Sequence, residues 1–175
     1  MQTFLKLNVV ILVLVLGTSL YAQSSASATA NVTAQLKRGL AITNLDGDLD
    51  FGEIILDGSA QTPTIAPGSG VRFEVTGHPN RDVTVTFSGV TLDNFAWVTT
   101  NGGTNGTLDY TPDVEETGSS STYSSPNPVT SGDVVQLVNV TGTGYLYLWL
   151  GGSLDIAANQ PYGDYTGIFT MNVAY

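Results

Sequence analysis

The chain has 175 residues, a net charge of −10 and no cysteine. Thiol nucleophiles, cysteine-ligated zinc and iron–sulfur clusters are therefore excluded. The five Lys and Arg residues are too few for the cationic patch that a nucleic-acid backbone requires, so we expect no nucleic-acid partner.

The N-terminus has the pattern of a secretory signal peptide. Lys6 precedes an uncharged apolar run over residues 9–16, and Ala22 is a small residue suited to cleavage. The run is shorter than the about 20 apolar residues of a membrane-spanning helix. We predict a signal peptide over residues 1–22 and export to the periplasm, the cell surface or the extracellular space, with no stable membrane span after its removal. An uncleaved anchor is the alternative.

After the signal, apolar and polar residues alternate along short stretches, which is typical of strands with one buried face. Residues 28–36 show this pattern, and residues 71–76 and 83–88 repeat it on either side of a His-Pro-Asn-Arg turn, which predicts a hairpin. We predict further strands at residues 49–56, 95–98, 134–140, 145–150, 154–157 and 165–175. In the last of them Phe169, Met171, Val173 and Tyr175 share one face.

No part of the mature sequence has a helical period, and Gly, Pro, Asn and Asp separate the short strands. We therefore predict an all-β protein, an antiparallel immunoglobulin-like β-sandwich of about nine or ten strands, formed as one domain by residues 23–175. Residues 99–132 are rich in Thr, Gly, Ser and Asn and are predicted to form a long polar loop, with room for a short strand at Leu108 and Tyr110. This loop is either a surface excursion or a ligand-contacting segment with Tyr123 as its aromatic contact.

The residues that could support catalysis are few. His78 is the only histidine and lies beside Pro79 in the predicted turn, where a solvated histidine is the usual finding. Glu115 and Glu116 could form a glycosidase pair, but they fall in the polar loop, where little would raise a carboxyl pKa. We therefore predict that the protein is not an enzyme.

Three aspartates give the sharpest pattern for a metal. Asp46, Asp48 and Asp50 stand at alternate positions, as do the first three ligands of a calcium-binding EF-hand loop. The pattern then breaks, because Phe51 replaces the required glycine and Asp57 the bidentate glutamate. A calcium site and a turn with solvated aspartates are the two hypotheses, and no other cofactor is expected.

Three short motifs carry a family resemblance: L-D-F-G at residues 49–52, G-G-S-L at 151–154, and the ending that runs from Pro161 to Tyr175. In this order they resemble a bacterial exported family, domain of unknown function 4402, with Met171 in place of the first valine of the family's Y-x-G-x-F-x-V-x-V-x-Y ending. The resemblance implies an immunoglobulin-like β-sandwich, fimbrial or surface-associated, without an established biochemical activity.

Two classes of function follow. The first is a structural or adhesive surface protein, such as a pilus- or fimbria-like subunit that associates with itself or with other surface subunits. Residues 23–36 would then be a strand donated to a neighbour, unless they are an ordinary first strand of their own sheet. The second is a module that binds a glycan or another surface ligand, with Trp97, Tyr123 and Trp149 as stacking platforms.

Overall fold

The computed structural model describes residues 27–36 and 38–175. The chain divides into two compact units, Met1–Gln35 and Leu36–Tyr175. The predicted signal peptide, residues 1–22, lies outside the described residues. Residues 27–36 have no regular secondary structure, so the strand predicted at residues 28–36 is not formed. These residues have the alternation of a strand, but no neighbouring strand supplies hydrogen bonds to their backbone.

The second unit confirms the prediction of an all-β sandwich, with eleven strands in two antiparallel sheets where nine or ten were expected. The strands are β1 (Ala41–Asn44), β2 (Thr64–Ile65), β3 (Val71–Gly77), β4 (Asp82–Phe87), β5 (Val90–Asp93), β6 (Thr107–Glu116), β7 (Asn127–Pro128), β8 (Val134–Gln136), β9 (Val138–Val140), β10 (Thr143–Asp155) and β11 (Met171–Ala174).

The larger sheet is built around β10, which has 13 residues. Its main path runs β1-β3-β10-β6-β5. One edge of β10 pairs first with β3 and then with β2, and the other pairs with β9 and then with β6. Because β10 is so long, four other strands of this sheet pair directly with it.

The smaller sheet has three strands in the order β11-β4-β8. Both strands of the predicted hairpin are present as β3 and β4, but they belong to different sheets and do not pair with each other, so the prediction of a hairpin is wrong. The buried apolar residues form one cluster: Val71, Val75, Val83, Val85, Leu108, Tyr110, Val114, Val129, Leu137, Leu146, Leu148, Leu150, Leu154, Ile156 and Met171.

Two predictions in the middle of the chain are wrong. Residues 95–98 form the start of a helix, α1 (Phe95–Asn101), in which the Phe95 N–H donates to the Asp93 carboxylate at 3.0 Å. The predicted polar loop at residues 99–132 contains the ten-residue strand β6, whose inward residues Leu108, Tyr110 and Val114 are buried. Within the described ranges, no helix is long and apolar enough to cross a membrane.

Several predicted strand boundaries also change. Residues 49–56 are not a strand, and the last strand is confined to Met171–Ala174. The strand predicted at residues 134–140 splits at the fully buried Leu137 into β8 and β9, which join different sheets. The glycine pair at 151–152 lies inside β10. A Cβ at Gly151 would come within 2.2 Å of the Ile65 carbonyl oxygen, so the close approach of the backbones requires glycine.

Candidate functional site

The second unit contains an open cleft. It has a volume of about 570 Å³ and is lined by two segments, residues 47–51 and residues 165–169. Apolar side chains of the larger sheet line it as well, among them Phe73 of β3, Leu92 of β5 and Leu154 of β10. A second cavity of about 770 Å³ shares Leu92 and Leu154 with the first. We call the two together the cleft.

All three motifs of the family resemblance meet at this cleft, although about 100 residues separate the first from the other two. Leu49 and Phe51 come from L-D-F-G, Leu154 from G-G-S-L, and Tyr165 and Phe169 from the closing motif. The motifs therefore describe one place in the fold. Sequence reasoning treated them as separate marks of a family and did not predict the cleft.

Tyr110 of β6 lies against both lining segments. Its ring centroid is 6.1 Å from that of Phe51 and 6.1 Å from that of Phe169, both in edge-to-face geometry. Its hydroxyl donates to the Gly151 carbonyl oxygen at 2.6 Å. Burial raises the pKa of Tyr110, and the charge of Asp113 adds to the effect. Tyr110 is therefore a neutral, fixed support for the cleft.

Within the described part of the chain, much of the backbone in both lining segments makes no backbone–backbone hydrogen bond, although Thr166 exchanges two with Asp93. Residues 48–56 make no backbone–backbone hydrogen bond, and neither do residues 167–170. β11, which follows the second segment, pairs with β4 alone. Unpaired N–H and C=O groups beside an apolar floor are the features to which an added strand binds.

The three aspartates of the calcium hypothesis are not brought together. Asp46 accepts hydrogen bonds from the Arg72 backbone N–H at 3.0 Å and from its guanidinium at 3.3 Å. Asp50 accepts from the Gly52 N–H at 2.8 Å, and Asp48 and Asp50 line the cleft. Among the described residues, no group of three His, Cys, Asp or Glu side chains could hold a metal ion. Asp46 is hydrogen-bonded to Arg72, and Asp50 to the backbone of its own segment. The calcium site of the first hypothesis is therefore not assembled.

The three aromatic residues proposed as a stacking platform are divided between two places. Tyr123 and Trp149 are in edge-to-face contact at 5.3 Å, with the Arg72 guanidinium 5.4 Å from the Trp149 ring centroid. Trp149 is only 8% exposed, and its Nε1–H donates to Thr117 at 2.9 Å. Trp149 is therefore part of the packing and offers no open face to a sugar.

Trp97 belongs to the other place. It lies on α1 in edge-to-face contact with Tyr162, at 5.6 Å between ring centroids. Tyr162 lines the cleft and is 68% exposed. Asn94, the buried polar residue before α1, fixes the backbone here, because its amide donates to the Tyr162 carbonyl at 3.2 Å and its carbonyl accepts from the Gly106 N–H at 2.7 Å. No sequence pattern pointed to Asn94, and Tyr162 stood out only as part of the ending that carries the family resemblance.

The residues considered for catalysis have structural partners. His78 has Nδ1 3.2 Å from the Pro79 carbonyl oxygen. Glu115 accepts a hydrogen bond from the Tyr123 hydroxyl, which raises the pKa of Tyr123. Glu116 accepts from the Gly118 N–H at 2.5 Å. These two glutamates lie on β6 and order the chain that follows it, where the sequence had suggested a solvated loop.

Tyrosine and glutamate also pair on the face of the larger sheet that carries Trp149. The Tyr147 hydroxyl donates to Glu74 at 2.6 Å across β10 and β3. This hydrogen bond, together with partial burial, raises the pKa of Tyr147 to about 12. The pair holds two central strands in register and leaves no free carboxylate for chemistry at this point.

Comparison with known families identifies the chain. The model described as "Domain of unknown function (DUF4402)" matches residues 40–175, so the chain belongs to that family. The match begins one residue before β1 and includes every strand and all three motifs at the cleft. A search of curated proteins finds no match to the chain.

Proposed function

We propose that this member of the domain of unknown function 4402 family is a non-catalytic structural or adhesive protein of the bacterial surface, a pilus- or fimbria-like subunit that associates with itself. The signal-like N-terminal sequence supports export. One observation carries the proposal: within the described ranges, residues 27–36 have a strand's alternation, are exposed and form no strand, while residues 48–51 and 167–169 at the cleft make no backbone–backbone hydrogen bond.

The physical basis is strand addition. An extended segment of one chain gains affinity from backbone hydrogen bonds to a second chain, and its alternate side chains fill pockets and give specificity. An ordinary first strand would pair within its own sheet. In the described part of the chain, β1 begins at Ala41, and residues 27–36 pair with neither sheet.

Self-association can be tested on the mature protein, residues 23–175, by sedimentation velocity over a wide concentration range. We expect oligomers that grow with concentration, because each chain supplies one exposed segment and one cleft. A single monomeric species at every concentration would contradict the proposal. The sample needs no reductant, since the chain has no cysteine.

The pair of half-buried Trp97 and exposed Tyr162 beside the cleft favours a second candidate, a glycan-binding module. Aromatic rings with an exposed face suit the apolar face of a sugar. A glycan array probed with the mature protein tests this candidate, with Tyr162→Ala as the variant and Tyr145→Ala as a control on another tyrosine. Retention of a monomer that depends on Tyr162 alone would favour the module over the subunit.

A further inference from the structure

We propose that the cleft is the acceptor for residues 27–36 of a second copy of this chain, which would lie as an added strand between the two segments that line it. This inference rests on the self-association proposed above and adds the two surfaces that meet. The three motifs at the cleft would form one side of the interface, and the exposed residues 27–36 would form the other.

The donor has the shape that such a cleft accepts. In residues 27–36 the apolar positions alternate with Thr, Asn and Gln and are mostly alanine. A strand of ten residues spans about 33 Å. Two larger side chains stand out in the single chain, since Val32 is 94% exposed and Leu36 is 88% exposed. Exposed apolar side chains at alternate positions gain burial only when a partner covers that face.

The acceptor has unpaired backbone on both sides and apolar atoms beneath. Residues 48–56 and 167–170 have N–H and C=O groups without backbone partners in the described ranges. The floor comes from Phe73, Leu92 and Leu154. The smaller sheet has three strands against eight in the larger one, so part of the larger sheet is covered by irregular segments alone. An added strand would extend the second layer over that part.

The charges of the cleft and of the donor segment are compatible with the same pairing. Asp48, Asp50 and Asp164 lie at the cleft and make it acidic. Residues 27–36 contain no charged residue, and the sequence places Lys37 and Arg38 directly after them. An acidic cleft therefore does not repel the donor, and the two cations that follow it are attracted to the cleft.

The point where the segment leaves the second unit is fixed. The Tyr175 hydroxyl donates to the Arg38 carbonyl oxygen at 3.1 Å and accepts from the His78 N–H at 2.6 Å. With Arg38 held at the end of the last strand, the exposed Val32 and Leu36 of one chain are available to another. A return of the segment to the cleft of its own chain is the competing arrangement, and the experiment must separate the two.

Paired cysteines separate them, because the chain has no cysteine of its own. Ile168 lines the cleft and is 86% exposed. The full mature chain carrying Val32→Cys and Ile168→Cys is treated with the oxidant diamide and run on a denaturing gel without reductant. The matched control carries Val32→Cys and Val134→Cys, since Val134 is exposed on β8, the edge strand of the smaller sheet opposite β11. We expect a ladder of crosslinked chains with the Ile168 pair, at least tenfold above the control.

Three results would overturn the inference: an intrachain disulfide that leaves a monomer of altered mobility, equal ladders from both pairs, or no crosslink in the chain with Val32→Cys and Ile168→Cys although the wild-type protein associates in sedimentation. The third result would leave the proposed self-association intact but would require a different interface. A wild-type protein that stays monomeric would contradict both the proposed self-association and the proposed interface.

A charge in the donor provides a second readout. Val32→Asp should weaken association at least about tenfold, because it places a carboxylate against an apolar and acidic surface. Thr33→Asp adds the same charge on the opposite face of the strand and should weaken association less. Equal effects of the two variants would mean that residues 27–36 do not enter the cleft with the register proposed here.

Discussion

Removal of one hydroxyl group tests how the cleft is supported. In Tyr110→Phe the ring and its contacts with Phe51 and Phe169 stay, but the Gly151 carbonyl loses a donor at 2.6 Å. A buried hydrogen bond contributes about 1 kcal/mol, and a buried polar group left without a partner costs about 1–3 kcal/mol. We expect the free energy of unfolding to fall by about 1–3 kcal/mol.

The assay is urea unfolding of the mature protein followed by tryptophan fluorescence, with thermal unfolding as a second measurement. A loss of that size lowers the melting temperature by about 2–12 °C in a chain of this length. Tyr162→Phe is the matched control, because Tyr162 is an exposed tyrosine at the same cleft. It should change stability by less than about 0.5 kcal/mol. A Tyr110→Phe variant as stable as this control would refute the assignment of a buried, bonded hydroxyl.

Burial of Tyr110 also predicts how the stability of the protein depends on pH. Burial raises the pKa of Tyr110 in the folded protein above the value of about 10 in the unfolded chain. Above pH 10 the unfolded state loses its proton first, so the folded state binds more protons and stability falls as pH rises. Below pH 10 this contribution is fully present. Wild type should therefore lose stability more steeply above pH 10 than Tyr110→Phe, and parallel curves would contradict the burial of this group.

Three further predictions concern other parts of the second unit. Phe169→Ala should cost about 2–4 kcal/mol in urea unfolding, below the range for a fully buried phenylalanine, because Phe169 is half-buried between two aromatic rings; an unchanged midpoint would remove it from the core. Millimolar calcium should shift the melting temperature by less than about 1 °C relative to chelator, since a ligand stabilises only through a site in the folded state; a larger shift would restore the aspartate site. Arg72→Met should expose Trp149 to fluorescence quenching by acrylamide, because the guanidinium lies over its ring; unchanged quenching would show that the arginine does not shield the indole.

The parts of the fold that follow from local pattern were predictable. The strict alternation in β3 and β4 gave both strands, and the face shared by Phe169, Met171 and Val173 is turned towards the core as expected. These residues obey a period of two over several positions, and burial of one face enforces that period. Fold class follows from the same signal repeated along the chain.

Tertiary context decided the parts that were not predictable. Residues 95–98 are apolar and short, and nothing local distinguishes a strand from a first helical turn there; the Asp93 carboxylate that accepts from the Phe95 N–H starts α1. Only a short strand at Leu108 and Tyr110 was predicted where β6 lies, because Gly, Thr and Ser on both sides hide the alternation that continues to Val114. Its place between β10 and β5 comes from pairing with distant strands, which a local window does not contain.

The candidate site was predictable in its parts and not in its assembly. L-D-F-G and the closing motif were recognised, and the cleft appears only when the fold brings Leu49, Leu154 and Phe169 together. The aromatic residues show the opposite case. Trp149 looked like a ligand platform in the sequence, yet its place on the central strand under Tyr123 gives it a packing role.

The two candidate functions make different demands on the cleft, and its chemistry favours one of them. A sugar needs exposed aromatic faces and fixed polar groups, and of the rings around the cleft Tyr110 is buried and bonded while Tyr162 is exposed. A strand needs unpaired backbone along its length and an apolar floor. Both lining segments supply the backbone, and Leu92 and Leu154 supply the floor. A sugar at Tyr162 would use one end of the cleft, whereas an added strand uses its whole length, so the strand accounts for more of what the fold assembles there.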